Sequence, residues 1–395
     1  MSLTQSATGA GAVVIDADSH LFEPRTMWRD YIDPGDADRA LSIEDDELGH
    51  AWLMHAGQRL HLAEIPRPNA VDEMGEKRRQ VRAGERATVP YDAALPPYYS
   101  DPGSRVDHLD EMLVDVALAF PNYGLFWERH LAHDVRALTA NMGAWNRWAV
   151  EVAGQGRGRL HPVGHVTLVD PAWLDRQLRH LSDGGVRAAM IAPALVGDRR
   201  LSAPELEGAW AAFAEYGIAP CFHVGAYPRP YDAAWYEQTH DPANPQPVNS
   251  VMAIALLAAA PMMAVTDLVL NGVLERHADL RVAVVELTSG WVPYLLKQMD
   301  EAFEFNRRIN GRSATDLAER PSTYVRRQVR FSVSASEDPA DLVERAGDLF
   351  MFSTDYPHSE GVTGVAQFAE ETGLAQDDQR WAPLYGGVAE WLLSR

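Results

Sequence analysis

Acidic and histidine side chains gather where short apolar runs of this sequence end. Those that could bind a divalent cation are Asp18, His20, Glu23, His223, Glu286, Asp355 and His358. Imidazole nitrogens and carboxylate oxygens are common protein ligands of iron, manganese and zinc. The sequence therefore predicts a metal site, in which Glu286 and His358 are also the candidate catalytic acid or base.

The first of these runs shows why its polar residues are expected to act together. In a β-strand every second side chain lies on the same face, so Asp16, Asp18 and His20 should share one. Single residues also have ordinary explanations, since Asp355 before Tyr-Pro could cap a helix and Glu286 could pair with an arginine. The prediction of a metal site depends on finding such residues at four strand ends of one sheet.

Apolar runs alternate with helical patterns along the chain. The predicted strands are Val13–Asp18, Val116–Phe120, His161–Val169, Val186–Ala192, Ile218–Val224, Arg281–Glu286, Val329–Val333 and Leu349–Asp355. Such alternation is typical of βαβ units and predicts an α/β fold of the (β/α)8 TIM-barrel type, whose active site lies at the carboxyl ends of the strands. A doubly wound open sheet is the alternative. No G-x-G-x-x-G follows the first run, so a dinucleotide site is not supported.

The connection after the first predicted strand is far longer than the roughly 2–6 residues usual in such folds. It is rich in proline, glycine and charged residues. We predict one barrel domain over residues 1–395, in which residues 25–103 form a cap insertion over the barrel mouth. A disordered excursion is the alternative for this stretch.

Composition narrows the class of protein. The formal net charge of −21 argues against nucleic acids and membrane surfaces as partners, because both attract basic proteins. The single cysteine, Cys221, excludes an intrachain disulfide and is typical of a buried apolar position. The first residues lack the features of a secretory signal, and the longest apolar run, around 251–265, is shorter than the about 20 residues of a membrane helix. We therefore expect a cytoplasmic protein.

Several segments resemble the amidohydrolase-2 family, which includes aminocarboxymuconate-semialdehyde decarboxylase. They are D-S-H-L-F-E-P at Asp18–Pro24, the strand-five His223, R-V-A-V-V-E-L-T-S-G-W at Arg281–Trp291 and S-T-D-Y-P-H at Ser353–His358. The resemblance covers roughly Val14–Leu393. It implies a metal-dependent (β/α)8 barrel with ligands from the first, fifth, sixth and eighth strands.

The family's motifs fall on particular residues here, with two departures. Its H-x-H falls on Asp18 and His20, and its strand-six histidine, which serves acid and base chemistry in the decarboxylases, falls on Glu286. Its strand-five histidine is His223 and its strand-eight aspartate is Asp355. No lysine ends the fourth predicted strand, so the carboxylated lysine that bridges two metals in dinuclear hydrolases is not available.

The sequence also resembles a branch of barrel-fold non-haem di-iron monooxygenases that act in diterpenoid antibiotic biosynthesis. The shared features are Asp18–Pro24, Glu286 and Asp355–His358. This resemblance implies two Fe²⁺ ions per chain, an external electron donor and hydroxylation of a C–H bond in an apolar, terpenoid-type substrate linked to coenzyme A. An oxygen-rich ligand set also favours iron or manganese over a single zinc. The alternative is a decarboxylase or hydrolase that uses one Zn²⁺ or Mn²⁺.

Two further stretches bear on the small-molecule substrate. The basic segment Gly75–Arg86 could receive the phosphates of an acyl-CoA, or it could be a solvated helix face. The apolar stretch Met252–Met263 is expected to be an adaptable lid or ordinary core. His165 is expected to be structural, His240 stays unassigned, and a homodimer is among the expected assemblies.

Overall fold

Parallel strands and surrounding helices make up most of the chain in the computed structural model, which describes residues 13–231, 235, 251–311 and 317–394. The strands in these residues are β1 (Ile15–Leu21), β2 (Ser42–Asp45), β3 (Ala51–His55), β4 (Gln58–Leu62), β5 (Val116–Pro121), β6 (Leu160–Pro162), β7 (Gly164–His165), β8 (Ala188–Ile191), β9 (Ala219–His223), β10 (Val282–Val285), β11 (Val329–Val333) and β12 (Phe350–Phe352).

The helices in the same residues are α1 (Met27–Tyr31), α2 (Val71–Ala83), α3 (Tyr91–Ala94), α4 (Pro97–Ser100), α5 (Pro102–Glu111), α6 (Gly124–Leu131), α7 (Val135–Gln155), α8 (Pro171–Asp183), α9 (Glu207–Tyr216), α10 (Val251–Ala255), α11 (Ala259–Leu270), α12 (Val273–Arg276), α13 (Val292–Asn310), α14 (Pro321–Gln328), α15 (Pro339–Ala346), α16 (Val365–Thr372) and α17 (Val388–Leu393). Short 3₁₀ turns and one π turn, Pro383–Gly387, join them.

The parallel strands follow the order of a (β/α)8 barrel. One sheet has the order β1-β5-β6, and the other has the order β12-β11-β10-β9-β8-β7. A single residue separates β6 from β7, so the two ladders continue into each other. On the other side, Asp355 N–H donates to Asp18 O at 2.8 Å and His20 N–H donates to Tyr356 O at 2.7 Å. These bonds join β1 to the segment after β12, and the predicted TIM-barrel class is confirmed.

Apolar side chains form two buried clusters around these strands. The smaller one joins strand residues such as Ile15, Val285 and Met351 to Leu392 and Leu393 of α17. Cys221 is buried in it, as predicted. The larger cluster joins the strands to the outer helices. Strands that are buried on both faces explain why the sequence shows continuous apolar runs rather than alternation.

The connection between β1 and β5 contains an antiparallel sheet that the sequence did not predict. β3 pairs with β2 on one side and with β4 on the other. His61 of β4 stacks on Phe126 of α6, with 3.9 Å between the ring centres and 15° between the planes. This contact brings the small sheet to the barrel. The division into one barrel domain and a cap insertion stays a prediction.

Two long helical stretches of the chain are interrupted. Helix α6 ends at Leu131 and α7 begins at Val135, because Asp134 accepts the N–H of Ala137 at 3.0 Å and starts a new helix. Residues 251–276 contain the three helices α10, α11 and α12, and the part Val251–Leu270 is long and apolar enough to cross a membrane, with a mean hydropathy of 2.0. One such segment is weak evidence, and Val265 and Leu268 pack in the larger core. Absence of a membrane span stays a prediction.

Candidate metal centre and substrate cavity

The carboxyl ends of the strands bring most of the predicted ligands together. Asp18 and His20 lie in β1, His223 is the last residue of β9, and Glu286 directly follows β10. Asp355 lies three residues after β12. Side chains of these residues are buried or nearly so, and Glu286 is the most exposed of them at 21%. Neighbouring parallel strands explain the convergence, because their carboxyl ends open on the same end of the barrel.

The distances within this cluster are those of a site that a cation could fill. His20 Nε2 lies 3.5 Å from Asp18 Oδ1, 3.3 Å from Asp355 Oδ1 and 3.7 Å from Glu286 Oε2. His223 Nε2 lies 3.3 Å from Asp18 Oδ1 and 3.5 Å from Glu286 Oε2. The donor atoms form two groups that share His20 and Glu286, and within each group they lie within 4.8 Å of one another.

The hydrogen-bonding state of the cluster fits a divalent cation. Both ring nitrogens of His20 and Oε2 of Glu286 are buried and have no hydrogen-bond partner among the described residues. Burial lowers the pKa of His20 well below its usual value, so the ring is neutral and its nitrogen lone pair is available. Burial, with the charges of Asp355 and Asp18, raises the pKa of Glu286 well above its usual value. A cation would satisfy these atoms and offset the crowding of carboxylates.

The backbone is strained at two of the cluster's carboxylates. Glu286 has a φ of 52° and Asp355 a φ of 54°, which is the left-handed region that residues other than glycine seldom adopt. Such conformations cost about 1–3 kcal/mol each and persist where the surrounding structure enforces them. They direct both carboxylates toward His20 rather than along the strand.

His358 supports the cluster through Asp355. Its Nδ1 lies 2.7 Å from Asp355 Oδ1, and its Nε2 lies 3.0 Å from Asn122 Oδ1. The ring stacks on that of His20, with 4.0 Å between their centres. Burial would lower the pKa of His358, but the Asp355 carboxylate outweighs it and raises that pKa to about 9. Because both nitrogens face oxygen atoms, His358 holds Asp355 instead of offering a free ligand atom.

Glu23 lies outside the cluster, contrary to its prediction as a ligand. Its two carboxylate oxygens accept the backbone N–H groups of Tyr123 and Gly124, both at 2.9 Å. Asp16 also lies outside, because its carboxylate accepts the N–H and hydroxyl of Thr354 at 2.9 and 2.6 Å. The regular alternation that placed Asp16 with the ligands fails because the register of β1 shifts before Ser19.

A cavity of about 260 Å³ lies against the cluster. Glu286 and His358 form part of its wall, beside Asn122. The rest of the wall includes the stacked His61 and Phe126 and residues from the segment after β9. Ligand pockets commonly measure about 300–1,000 Å³, so this cavity suits a small, single-ring molecule.

The basic segment that was considered for phosphate binding is the helix α2 and the turn that follows it. Its cations are bound within the protein. Arg78 makes a two-pronged ion pair with Glu64, with both N–O distances at 3.0 Å, and Lys77 Nζ donates to a backbone carbonyl. Arg79 pairs with two glutamates of its own segment. These contacts favour the alternative of an ordinary helix surface.

A family model agrees with the cluster and the barrel. The amidohydrolase model, Amidohydro_2, matches residues 15–387, which is nearly the whole chain. The chain belongs to the Amidohydro_2 family. Every residue of the cluster lies within the matched range, and the predicted family is thereby confirmed. A comparison with curated proteins found no match.

Solved structures with the same fold extend over the whole chain. An amidohydrolase from Mycobacterium avium subsp. paratuberculosis K-10 is 23% identical over 98% of this chain and 100% of its own, with a TM-score of 0.74. The 5-carboxyvanillate decarboxylase from Sphingomonas paucimobilis is 17% identical over 97% and 99%, with a TM-score of 0.64. The 5-carboxyvanillate decarboxylase from Novosphingobium aromaticivorans DSM 12444, solved with manganese and 4-hydroxy-3-methoxy-5-nitrobenzoic acid, is 15% identical over 100% and 99%, with a TM-score of 0.62.

The prediction of a di-iron monooxygenase is wrong. Several solved structures of this fold are decarboxylases, which correspond to the alternative interpretation. The predicted roles of this protein in antibiotic biosynthesis and as an oxidoreductase are wrong for the same reason. The two branches share the motifs at Asp18–Pro24 and Asp355–His358, which contribute Asp18, His20, Asp355 and His358 to groups that could hold a metal and do not specify the reaction. The structure has a cluster that could hold a metal, and two Fe²⁺ ions are not supported.

The structure adds residues that sequence reasoning missed. Asn122 directly follows β5, so the strand-end criterion could have found it. Arg105 of α5 is fully buried, and its Nη2 donates to His20 O at 2.6 Å and to Tyr356 O at 3.3 Å. No sequence signal pointed to Arg105, since a helical arginine is usually exposed. His165 is buried beside Asn146, and His240 lies outside the described residues.

Proposed function

We propose that this chain is a metal-dependent decarboxylase that removes CO₂ from a small aromatic carboxylic acid. One observation carries the proposal: Glu286 belongs both to the ligand cluster and to the wall of the cavity. A substrate in this cavity would therefore contact the cluster directly. Decarboxylases of 5-carboxyvanillate and 2,6-dihydroxybenzoate share the fold over nearly their whole length, which supports the same class of reaction here.

Asp18, His20, His223 and Asp355 are the proposed ligands of a single divalent ion. The two groups of donor atoms share His20 and Glu286, and His358 of the second group is already hydrogen-bonded, which supports one ion rather than two. Mixed carboxylate and imidazole donors suit Mn²⁺, the metal present in a decarboxylase of this fold. When bound, such an ion supplies Lewis acidity, which polarises substrate oxygens and neutralises the charge of a carboxylate.

Glu286 is the proposed proton carrier. Decarboxylation breaks one C–C bond and forms one C–H bond: the electron pair of the broken bond stays with the ring carbon, which takes up a proton, and CO₂ leaves. Glu286 faces the cavity and its buried Oε2 has no partner among the described residues, so it can hold the proton that the ring carbon receives. His358 and Asn122 keep Asp355 in place while the proton moves.

The size of the cavity bears on which substrate and partners we propose for the protein. A cavity of about 260 Å³ suits a single ring, so the proposed substrate is a free small acid. An external electron donor has no role, because decarboxylation transfers no electrons to or from the protein. A cytoplasmic location and a homodimer remain predictions.

Metal content and product analysis test the proposal together. Protein purified without chelator from cells supplied with manganese should contain about one divalent ion per chain by mass spectrometry. It should release CO₂ from members of a panel of hydroxybenzoic acids that includes 5-carboxyvanillate and 2,6-dihydroxybenzoate. His223→Ala should lose both the metal and the activity. Oxygen consumption with these acids, or full activity in metal-free protein, would contradict the proposal.

A further inference from the structure

The segment after β9 places two buried hydrogen-bond donors side by side in the cavity wall. Tyr227 is only 4% exposed, and its hydroxyl oxygen has the Arg229 side chain as a hydrogen-bonding neighbour, which leaves the hydroxyl proton free to donate. Arg229 is half-buried, and its Nη1 is buried without a hydrogen bond to another described residue. The guanidinium carbon of Arg229 lies 5.1 Å from the centre of the Tyr227 ring, so the two donors are neighbours. Both residues line the cavity.

No carboxylate of the described residues forms an ion pair with Arg229, although the protein is strongly acidic. Arg78, another arginine of the same cavity, is paired through its Nε and Nη2 atoms with Glu64. Buried polar groups are normally hydrogen-bonded, so a buried donor without a partner is available to a ligand. A positive guanidinium beside a phenolic hydroxyl suits a negatively charged oxygen acceptor, because both groups donate.

The backbone around this pair is held in place before any ligand binds. Ala226 N–H donates to Leu125 O at 2.6 Å, and Arg129 N–H donates to Ala226 O at 2.9 Å. These bonds fasten the segment to α6. Donors on a fixed backbone lose little entropy when they bind an anion, which favours both affinity and selectivity.

The stacked rings of His61 and Phe126 offer a surface on which the apolar part of a ligand can lie. Burial lowers the pKa of His61 to about 3, so this ring is neutral and acts as a flat aromatic surface. A planar molecule can lie on such a surface with one acidic group at the metal cluster. Its other end is then available to the donors of Tyr227 and Arg229.

We propose that Tyr227 and Arg229 form an anion subsite that binds a second carboxylate of the substrate, so that the enzyme selects aromatic dicarboxylic acids over monocarboxylic acids. This inference rests on the proposed function only for the first carboxylate, which the metal cluster receives. Arg229 and Tyr227 are specificity-determining residues in this scheme, and neither takes part in proton transfer.

Binding of simple probes to the manganese-loaded protein tests the subsite without any turnover. Benzoate supplies one carboxylate, whereas isophthalate and terephthalate supply two at different spacings. By isothermal titration calorimetry, the wild-type protein should bind at least one dicarboxylate about tenfold more tightly than benzoate. Arg229→Gln should remove this preference and leave the benzoate Kd within about twofold, and Tyr227→Phe should reduce the preference in part.

Arg129→Gln is the matched control, because Arg129 also lines the cavity but is exposed. It should change the affinities for benzoate and the dicarboxylates by equal factors. A wild-type protein without preference for a dicarboxylate overturns the subsite, as does an unchanged preference in folded Arg229→Gln and Tyr227→Phe proteins. A preference that depends on Arg229 in a protein that releases no CO₂ from any acid supports the subsite and contradicts the proposed decarboxylase.

Discussion

At the scale of single residues, a substitution of Glu286 separates the proposed proton transfer from metal binding. Glu286→Gln keeps the size of the side chain but removes the acidic proton, so CO₂ release should fall by about 10²–10⁴-fold. Mn²⁺ binding should persist, because Asp18, His20, His223 and Asp355 remain. Steady-state kinetics and Mn²⁺ titration by electron paramagnetic resonance measure the two effects separately.

The matched control for this substitution is Glu370→Gln. Glu370 is exposed on α16 and belongs neither to the ligand cluster nor to the cavity wall, so its loss should leave kcat nearly unchanged. A Glu286→Gln protein that retains wild-type turnover would show that another group carries the proton.

A second prediction at this scale concerns the effect of Arg105 on metal affinity. It connects the backbone carbonyls of His20 and Tyr356, which belong to the two chain segments that carry ligands. Arg105→Met should leave both buried carbonyls without this donor and weaken Mn²⁺ binding by about 10–100-fold, as losses of outer-shell partners do. Arg105→Lys, which retains a positively charged donor nitrogen, should recover part of the affinity.

Arg157→Met serves as the control for Arg105, since Arg157 forms an exposed ion pair with Asp107. It should have no effect on Mn²⁺ affinity. Equal losses of metal affinity in both variants would refute a positioning role, and circular dichroism should confirm that each variant is folded.

Sequence reasoning found most of the cluster but not its supports. Asp18, His20, His223, Glu286 and Asp355 were predicted because a polar residue at the end of an apolar strand is visible in one dimension. Glu23 met the same criterion, yet it binds two backbone N–H groups. The roles of Arg105, Tyr227 and Arg229 depend on contacts between distant segments, which periodicity and spacing do not reveal.

At the scale of elements, the π turn Pro383–Gly387 packs closely against the start of β1. A Cβ atom on Gly386 would lie 1.9 Å from the carbonyl oxygen of Val13, a backbone atom that has no freedom to move aside alone. Gly386→Ala should therefore destabilise the protein by about 1–3 kcal/mol or more, as overpacking does. Thermal denaturation followed by circular dichroism should show a lower Tm.

Gly75→Ala is the contrasting change, because Gly75 lies within α2 with no atom near the position of an added Cβ. It should stabilise α2 by about 0.5–1 kcal/mol, since alanine loses less backbone entropy in a helix. A Gly386→Ala protein with the Tm of the wild type would refute the close packing of this turn.

The elements themselves were predicted unevenly. The buried parallel strands were found because they are apolar throughout, whereas β2, β3 and β4 are short and mix polar with apolar residues. The irregular register of β1 also escaped prediction, because it depends on how β1 pairs with β5. That irregularity decides which of Asp16 and Asp18 joins the cluster.

At the scale of the whole molecule, the proposed ligands come from strands spread around the barrel. A metal ion that binds only the folded chain should stabilise it by about 2.7 kcal/mol when the ion is present at 100 times its Kd. Addition of Mn²⁺ to metal-free protein should therefore raise the Tm. The Tm of His223→Ala should not rise. A wild-type Tm that is unchanged by Mn²⁺ would argue against the site.

Fold and family were predictable at this scale, but the reaction was not. Barrel class follows from the alternation of strands and helices, and the family follows from motifs that build the cluster. The monooxygenase and decarboxylase branches share these motifs, so the sequence did not separate them. The cavity that bears on the substrate emerges only when β4, α6 and the segment after β9 come together.

The bonds that join β1 to the segment after β12 also bear on how the protein matures. Asp18 and His20 leave the ribosome long before Asp355, which lies more than 330 residues further along the chain. At about 5–20 residues per second, the first ligands wait for tens of seconds before the last one exists. A nascent chain therefore cannot assemble the full ligand set until Asp355 has emerged, and the proposed metal must be acquired after that point.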